Sequence, residues 1–243
     1  MYESLKKLIK SIVPTSFIRK NDKLLRKVVS LSYKGDTHEC NVCGFTMSKF
    51  IVLSNSNKLC PQCGSLPRTR RLWQLIEPEV AGKDVLHFSP SKSMSDRIAK
   101  SNPKTYVTTD YEDEFEAEKQ HDIQAIDEPD NSFDIIICYH VLEHIPDDRK
   151  AMSELYRVLE SGGKCYIQTP FKDGEIYEDN SITTPEGRLE HFGQDDHLRI
   201  FSVEGLKSRL EVVGFSVEVN EFAELTDNRL GLKEKEIVLI ATK

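Results

Sequence analysis

Two C-x-x-C pairs, Cys40-Asn-Val-Cys43 and Cys60-Pro-Gln-Cys63, stand sixteen residues apart in a chain of 243. Each such turn presents two thiolates from one knuckle, and four thiolates satisfy a tetrahedral zinc ion. Gly44 and Gly64 follow the pairs, where the turn benefits from a residue free to take positive φ. Four sulfurs complete the coordination shell, so the expected role of Zn2+ at Cys40, Cys43, Cys60 and Cys63 is structural. A second set of reactive groups follows the apolar run Phe133-Asp-Ile-Ile-Ile-Cys138: Tyr139, His140, Glu143 and His144. Histidine titrates near neutrality, which makes His140 and His144 candidate general bases. A third set lies in His191-Phe-Gly-Gln-Asp-Asp-His-Leu-Arg199, where His197 is a further candidate base. That run reads as a substrate-binding loop, an acidic solvated loop, or a metal site in which His197 and Asp195 are ligands.

The elements that must position these groups follow from periodicity. Phe133–Cys138 suits a central parallel strand covered on both faces, with ligands outside its carboxyl end. Asp84–Phe88, Thr105–Thr109, Lys164–Gln168, Phe215–Val219 and Glu236–Ala241 read as further strands, with a short third-strand region at Asp122-Ile123. Ser89 and Pro90 are expected to open a helix, and Arg149–Leu159 to form another that Ser161-Gly162-Gly163 ends. Ser202 caps a helix stopped by Gly214. The pattern predicts an α/β fold with a Rossmann-like, seven-stranded, mostly parallel sheet, preceded by basic helices and a small zinc-ribbon module. The boundaries predicted are 1–35 for the basic helical segment, 36–67 for the ribbon, 68–80 for a connecting helix and 81–243 for the main domain. A lid-like insertion occupies 170–200, long enough to suggest a binding loop. In the connecting helix, Arg68, Arg70 and Arg71 read as a solvated face and Trp73 as a packing residue.

Charge is uneven. Residues 1–35 carry nine Lys/Arg against Glu3 and Asp22, whereas 81–243 carry nineteen Lys/Arg against thirty-four Asp/Glu. An acidic main domain repels a polyanion and counts against a nucleic-acid partner. Helical patterns over 3–13 and 16–30 are basic and amphipathic. They leave open a peripheral membrane contact, or packing on the domain or on a second copy. No apolar run reaches the ~18 residues of a membrane span. Lysines interrupt each apolar run at the N-terminus, so a cytoplasmic location is expected. There Cys138 and Cys165 read as inert core thiols.

Phe133 to Gly163, with its FD-apolar run and Val141-Leu142-Glu143-His144, resembles the fourth strand and following loop of class I S-adenosylmethionine-dependent methyltransferases of the type 11 kind. The resemblance covers about residues 81–243. It implies S-adenosylmethionine as cofactor, held by an acid ending strand two (Asp110), by an acid after strand three (Asp122, with Ile123 beside the adenine), and by Cys138 and Tyr139 of the strand-four loop. The first loop departs from the family, having His87-Phe-Ser-Pro-Ser-Lys-Ser93 in place of several glycines. His87 is expected to contribute to the cofactor site, and Ser89 and Ser91 with a helix N-terminus to receive the cofactor carboxylate. The function so implied is methyl transfer to an oxygen or nitrogen of a small-molecule or carbohydrate-like substrate. Two alternatives stand beside it: an RNA methyltransferase that docks RNA through the ribbon, and a catalytically silent zinc-binding scaffold.

Overall fold

The computed structural model describes residues 15–223 and 226–243, and the backbone alone of residues 15–20. The helix expected over 3–13 lies outside the described residues. The chain divides into two compact units. One takes the residues up to Glu79 with Ser91–Ser101 and Phe222–Glu236; the other takes Val80–Pro90, Asn102–Glu221 and Ile237–Lys243.

In the first unit, helix α1 (Thr15–Ser30) is followed by a short 3-10 turn. Two small antiparallel ribbons come next, β1 (Lys34–Glu39) with β2 (Thr46–Met47) and β3 (Ile51–Val52) with β4 (Lys58–Leu59). Helices α2 (Pro67–Ile76) and α3 (Lys92–Ala99) complete the unit. The apolar stripe of α1 is largely uncovered, with Leu24 62% and Val28 61% exposed. The expected solvated arginine face of α2 is not found: Arg70 and Arg71 are buried. The Arg70 guanidinium donates to the carbonyls of Leu230 (2.6 Å), Ser65 (2.7 Å), Lys58 (2.8 Å) and Gly231 (2.9 Å) and lies over the Phe50 ring. A planar cation with five donors can bond several carbonyls at once, which is why arginine occupies this interior position. Trp73 is 1% exposed, a packing residue as expected.

The second unit is built on a six-stranded sheet ordered β11-β12-β8-β7-β5-β6. Its strands are β5 (Asp84–Phe88), β6 (Thr105–Thr109), β7 (Phe133–Tyr139), β8 (Leu159–Gln168), β11 (Ser216–Phe222) and β12 (Glu236–Thr242). Strands β6, β5, β7 and β8 run parallel, and β12 is antiparallel to β8. Leu86, Ile136, Ile167 and Leu239 are fully buried in the sheet. Met152 and Leu155 of α4 (Asp148–Val158) and Leu206 and Leu210 of α6 (Val203–Val213) belong to the same apolar cluster. Ser202 caps α6 by accepting from Gly205 N–H at 3.2 Å, and Gly214 ends it at φ 120°, as the sequence predicts.

The fold class holds, with six strands where seven were expected. Among the described residues the Asp122-Ile123 region makes only an isolated bridge to Ala125. Its backbone donors go elsewhere: Gln124 N–H to the Asp122 carboxylate (2.8 Å), Ala125 N–H to the Asp122 carbonyl (2.9 Å), and Ile126 N–H to Glu154 (2.8 Å). An Asx turn thus competes successfully with a ladder. Two boundaries also move. The helix expected at Ser89 begins at Lys92, with Ser91 at its cap. Gly162 (φ 80°) sits within β8 rather than ending α4, which stops at Val158.

Candidate functional site

Four parallel strands deliver their carboxyl ends to one edge of the sheet, the position where open α/β sheets bind ligands. Ser89 follows β5 there, Asp110 follows β6, Tyr139 ends β7 with His140 next to it, and Thr169 follows β8. Hydrogen bonds knit the edge together: Ser89 N–H donates to the Thr109 carbonyl (2.8 Å), and His140 N–H to the Gln168 carbonyl (2.7 Å). Ser89 and His140 occupy the left-handed region at φ 46° and 56°. Each such non-glycine residue costs about 1–2 kcal/mol. Backbone strain of this kind concentrates at functional sites.

The candidate cofactor residues fall into two groups. Asp110 is 6% exposed; its Oδ2 accepts from the N–H groups of Glu114 (2.7 Å) and Phe115 (3.0 Å), while Oδ1 takes no hydrogen bond among the described residues. The carboxylate is therefore fixed through one oxygen with the other left to accept. Asp122 is partly exposed at the turn described above. Ile123 and Cys138 belong to the buried apolar cluster, and burial pushes the Cys138 thiol well up. His87 is also interior. Its Nδ1 lies 3.0 Å from the Tyr106 hydroxyl, and burial lowers its pKa from 6.5 to about 3, so the ring is neutral.

The loop after β7 and the insertion after β8 come together in one polar cluster. The insertion is ordered: β9 (Tyr177–Glu178) pairs with β10 (Arg199–Ile200), and α5 (Pro185–Phe192) lies between them, capped by Thr184. Leu198 N–H donates to the Glu143 carbonyl at 2.9 Å. The Arg199 guanidinium, buried, donates to the carbonyls of Leu142 (3.2 Å), Ile145 and Pro146 (3.0 Å) and pairs with Glu178 (3.1 Å). One side chain of the insertion therefore fixes the loop that carries Glu143 and His144. Glu143 is 1% exposed, and its Oε1 accepts from His140 Nδ1 at 3.2 Å. Burial opposes its charge, but the bond and charge of His140, the Glu143 N–H and nearby His144 leave its pKa lowered. His144 Nδ1 lies 3.0 Å from Asp196, and its ring meets His197 edge to face at 4.6 Å. His197 is 2% exposed; burial, then His144, lower its pKa. The three candidate bases are thus assembled around one buried carboxylate. No local pattern in the sequence singles out Asp196 or Arg199, although the H-x-x-E-H spacing places Glu143 between two histidines.

In the first unit the four cysteines close on one point. Cys40 and Cys63 Sγ lie 3.7 Å apart and Cys43 and Cys60 Sγ 3.8 Å apart. These separations are far beyond a disulfide's ~2.05 Å. They match the edge of a tetrahedron with metal–sulfur bonds of ~2.3 Å, which is roughly 3.8 Å. The two knuckles repeat one geometry: Gly44 N–H donates to the Cys40 carbonyl (2.7 Å) and Gly64 N–H to the Cys60 carbonyl (3.0 Å), both glycines at positive φ.

A mostly parallel open sheet with polar loops at its carboxyl edge defines a Rossmann-like α/β protein. Residues 67–219 match the family described as a methyltransferase domain, and the chain belongs to that family. A probable S-adenosylmethionine-dependent methyltransferase of Mycolicibacterium smegmatis is 26% identical over 160 residues, which is 60% of this chain and 57% of that protein. The tRNA N(3)-cytidine methyltransferase METTL2 of Bos taurus is 30% identical over 119 residues, 44% of this chain and 32% of that protein. The chain thus spans between about a third and somewhat over half of these relatives' lengths. Among solved structures, an S-adenosylmethionine-dependent methyltransferase from Archaeoglobus fulgidus has a TM-score of 0.54 at 17% identity, covering 72% of this chain and 93% of its own. One from Mesorhizobium loti has a TM-score of 0.53 at 14% identity, covering 72% and 97%. At such identities the likeness establishes the fold.

Proposed function

We propose that this chain transfers a methyl group from S-adenosylmethionine to an oxygen or nitrogen nucleophile of a small, hydroxyl-bearing substrate. The observation that carries this reading is the juxtaposition of Asp110, Tyr139 and His140 at one edge of the sheet, in a chain of the methyltransferase-domain family. S-adenosylmethionine supplies an electrophilic methyl group on a sulfonium. The protein's part is to hold that group, align the acceptor and manage its proton. Asp110, held rigid by two backbone donors, offers its free oxygen to vicinal ribose hydroxyls. Ser89 and Asp122 are assigned flanking contacts. The interior positions of His87, Ile123 and Cys138 favour shaping the wall of the site over touching ligand. Glu143 accepts from His140 Nδ1–H, which leaves Nε2 as the basic nitrogen facing the acceptor. The four cysteines are assigned a structural zinc ion.

Calorimetry with S-adenosylmethionine and its demethylated product tests the reading. Wild-type chain is expected to bind both, and Asp110→Ala to weaken binding at least tenfold with its melting temperature little changed. No binding by wild type at millimolar cofactor sinks the enzyme reading and leaves the scaffold.

A second reading, RNA as substrate, is favoured by one feature of the first unit. A cleft of about 480 Å³ beside the cysteine knuckles is lined by Lys23, Arg26, Lys27, Lys92, Arg97 and Lys100, with Asp96 among them. A tRNA methyltransferase among the relatives points the same way. RNA affinity that falls steeply with salt supports this reading, and its absence at low salt removes it.

A further inference from the structure

We infer a second metal site, distinct from the cysteine cluster, in which Glu143, His144 and His197 hold a divalent first-row transition cation. One potential ligand atom from each of these residues lies within 4.8 Å of the others. A cation at bond lengths of about 2.0–2.2 Å places its ligands roughly 3.4 Å apart, so each edge closes by no more than ~1.5 Å.

The bonding of the trio argues that something is meant to sit between them. His197 is 2% exposed, and its ring nitrogens lack a well-formed hydrogen bond, with only a weak one to the Phe192 backbone. Glu143 is 1% exposed, and its Oε2 is without a partner. A buried polar group left unpaired is destabilising, and here Glu143 and His197, which bring ligand atoms within 4.8 Å of each other, both carry one. The outer shell is already built. Asp196 pairs with His144 Nδ1 (3.0 Å), and His140 Nδ1 holds the other oxygen of Glu143 (3.2 Å). Carboxylate-to-imidazole bonds of this kind fix a ligand's tautomer and orientation. Arg199 then locks the loop bearing Glu143 and His144 through the carbonyls of Leu142, Ile145 and Pro146.

Two imidazoles and one carboxylate select zinc, iron or manganese over magnesium or calcium, which prefer all-oxygen shells. Three protein ligands leave open positions, the mark of a site that binds substrate. The cluster stands at the carboxyl end of β7, beside the edge assigned to methyl delivery, and this part of the inference rests on the proposed methyl transfer. The expected acceptor is therefore a hydroxyl, best one of a vicinal pair, bound to the cation and acidified by it. The hydroxyl proton leaves by way of His140 Nε2 to water, the oxygen–carbon bond forms as the sulfur–carbon bond breaks, and sulfur keeps the electron pair. His144 and His197 then act as ligands in place of bases.

The test is metal stoichiometry of the full chain equilibrated with Zn2+ alone. Wild type is expected to hold two zinc ions per chain, and His197→Gln, His144→Gln and Glu143→Gln one each. Cys60→Ser is expected to lose the other ion. Circular dichroism confirms folding, and the partly exposed His144 provides a variant expected to keep its fold. With Co2+, the ion bound by Cys60→Ser should give ligand-field absorption without a thiolate charge-transfer band. A wild type that holds one zinc, or three variants that all keep two, overturns the site. Methyl transfer is assayed on the same samples. Two zinc ions with no transfer to any acceptor keep the site and remove the methyl-transfer reading. Transfer by a one-zinc, chelator-insensitive enzyme does the reverse.

Discussion

Replacing Arg199 with methionine removes the charge and the donors but keeps most of the side chain's volume. In the wild type the guanidinium donates to the carbonyls of Leu142, Ile145 and Pro146 and pairs with Glu178. The charge is buried, and hydrogen bonds to charged groups contribute about 1.5–3 kcal/mol each before non-additivity. Glu178 keeps a partner in Arg209 at 2.5 Å, so it is not left alone. The carbonyls of Ile145 and Pro146 lose this donor, while that of Leu142 keeps the Ile145 N–H (3.3 Å). Breaking a buried, hydrogen-bonded charge array costs about 3–5 kcal/mol. For a chain of this length that corresponds to a fall in melting temperature of roughly 6–20 °C. Arg199→Lys keeps the charge but not the planar fork, so it is expected to recover less than half of the loss. Differential scanning calorimetry of the three proteins measures this. A loss below ~1 kcal/mol for methionine, or lysine indistinguishable from arginine, refutes the idea that Arg199 anchors the Leu142–Pro146 loop.

Two further outcomes follow from the same geometry. His87 is neutral in the folded state with a pKa of about 3, against 6.5 when exposed, so the unfolded chain binds the extra proton between those values. The stability held above pH 6.5 is lost as pH falls toward 3, about 2 kcal/mol of it by pH 5. Urea unfolding at pH 7.5 and pH 5 should show this loss in wild type and not in His87→Gln; equal losses would show that His87 is not the cause. Cys60→Ser should abolish the zinc binding proposed for the four cysteines and lower the melting transition of the first unit. Retention of that zinc with tetrathiolate spectroscopy would sink the four-cysteine site.

Much of the fold was legible because burial imposes periodicity on the chain. The boundaries of β5 and β6 and the caps at Ser202 and Gly214 fell where apolar runs and capping residues put them. The seventh strand failed because the Gln124 and Ala125 N–H groups bond back to Asp122 and the Ile126 N–H bonds to Glu154, a competition no run of hydrophobicity reveals. The buried state of Arg70 and Arg71 was equally hidden. An arginine on a helix reads as solvated until distant carbonyls, here those of Leu230 and Gly231, need donors.

What the sequence determined by itself was local: two cysteine knuckles whose spacing specifies four thiolates, an apolar strand followed by His140, Glu143 and His144, and an acid at the end of β6. Ligand type and strand patterning depend on neighbours within a few residues, so they can be read along the chain. Only the tertiary structure decided that His197, more than fifty residues beyond His144, packs edge to face against it beside the unpartnered oxygen of Glu143. That meeting depends on the β9–β10 ribbon and on Arg199 tying the insertion to the β7 loop, contacts between segments far apart in sequence.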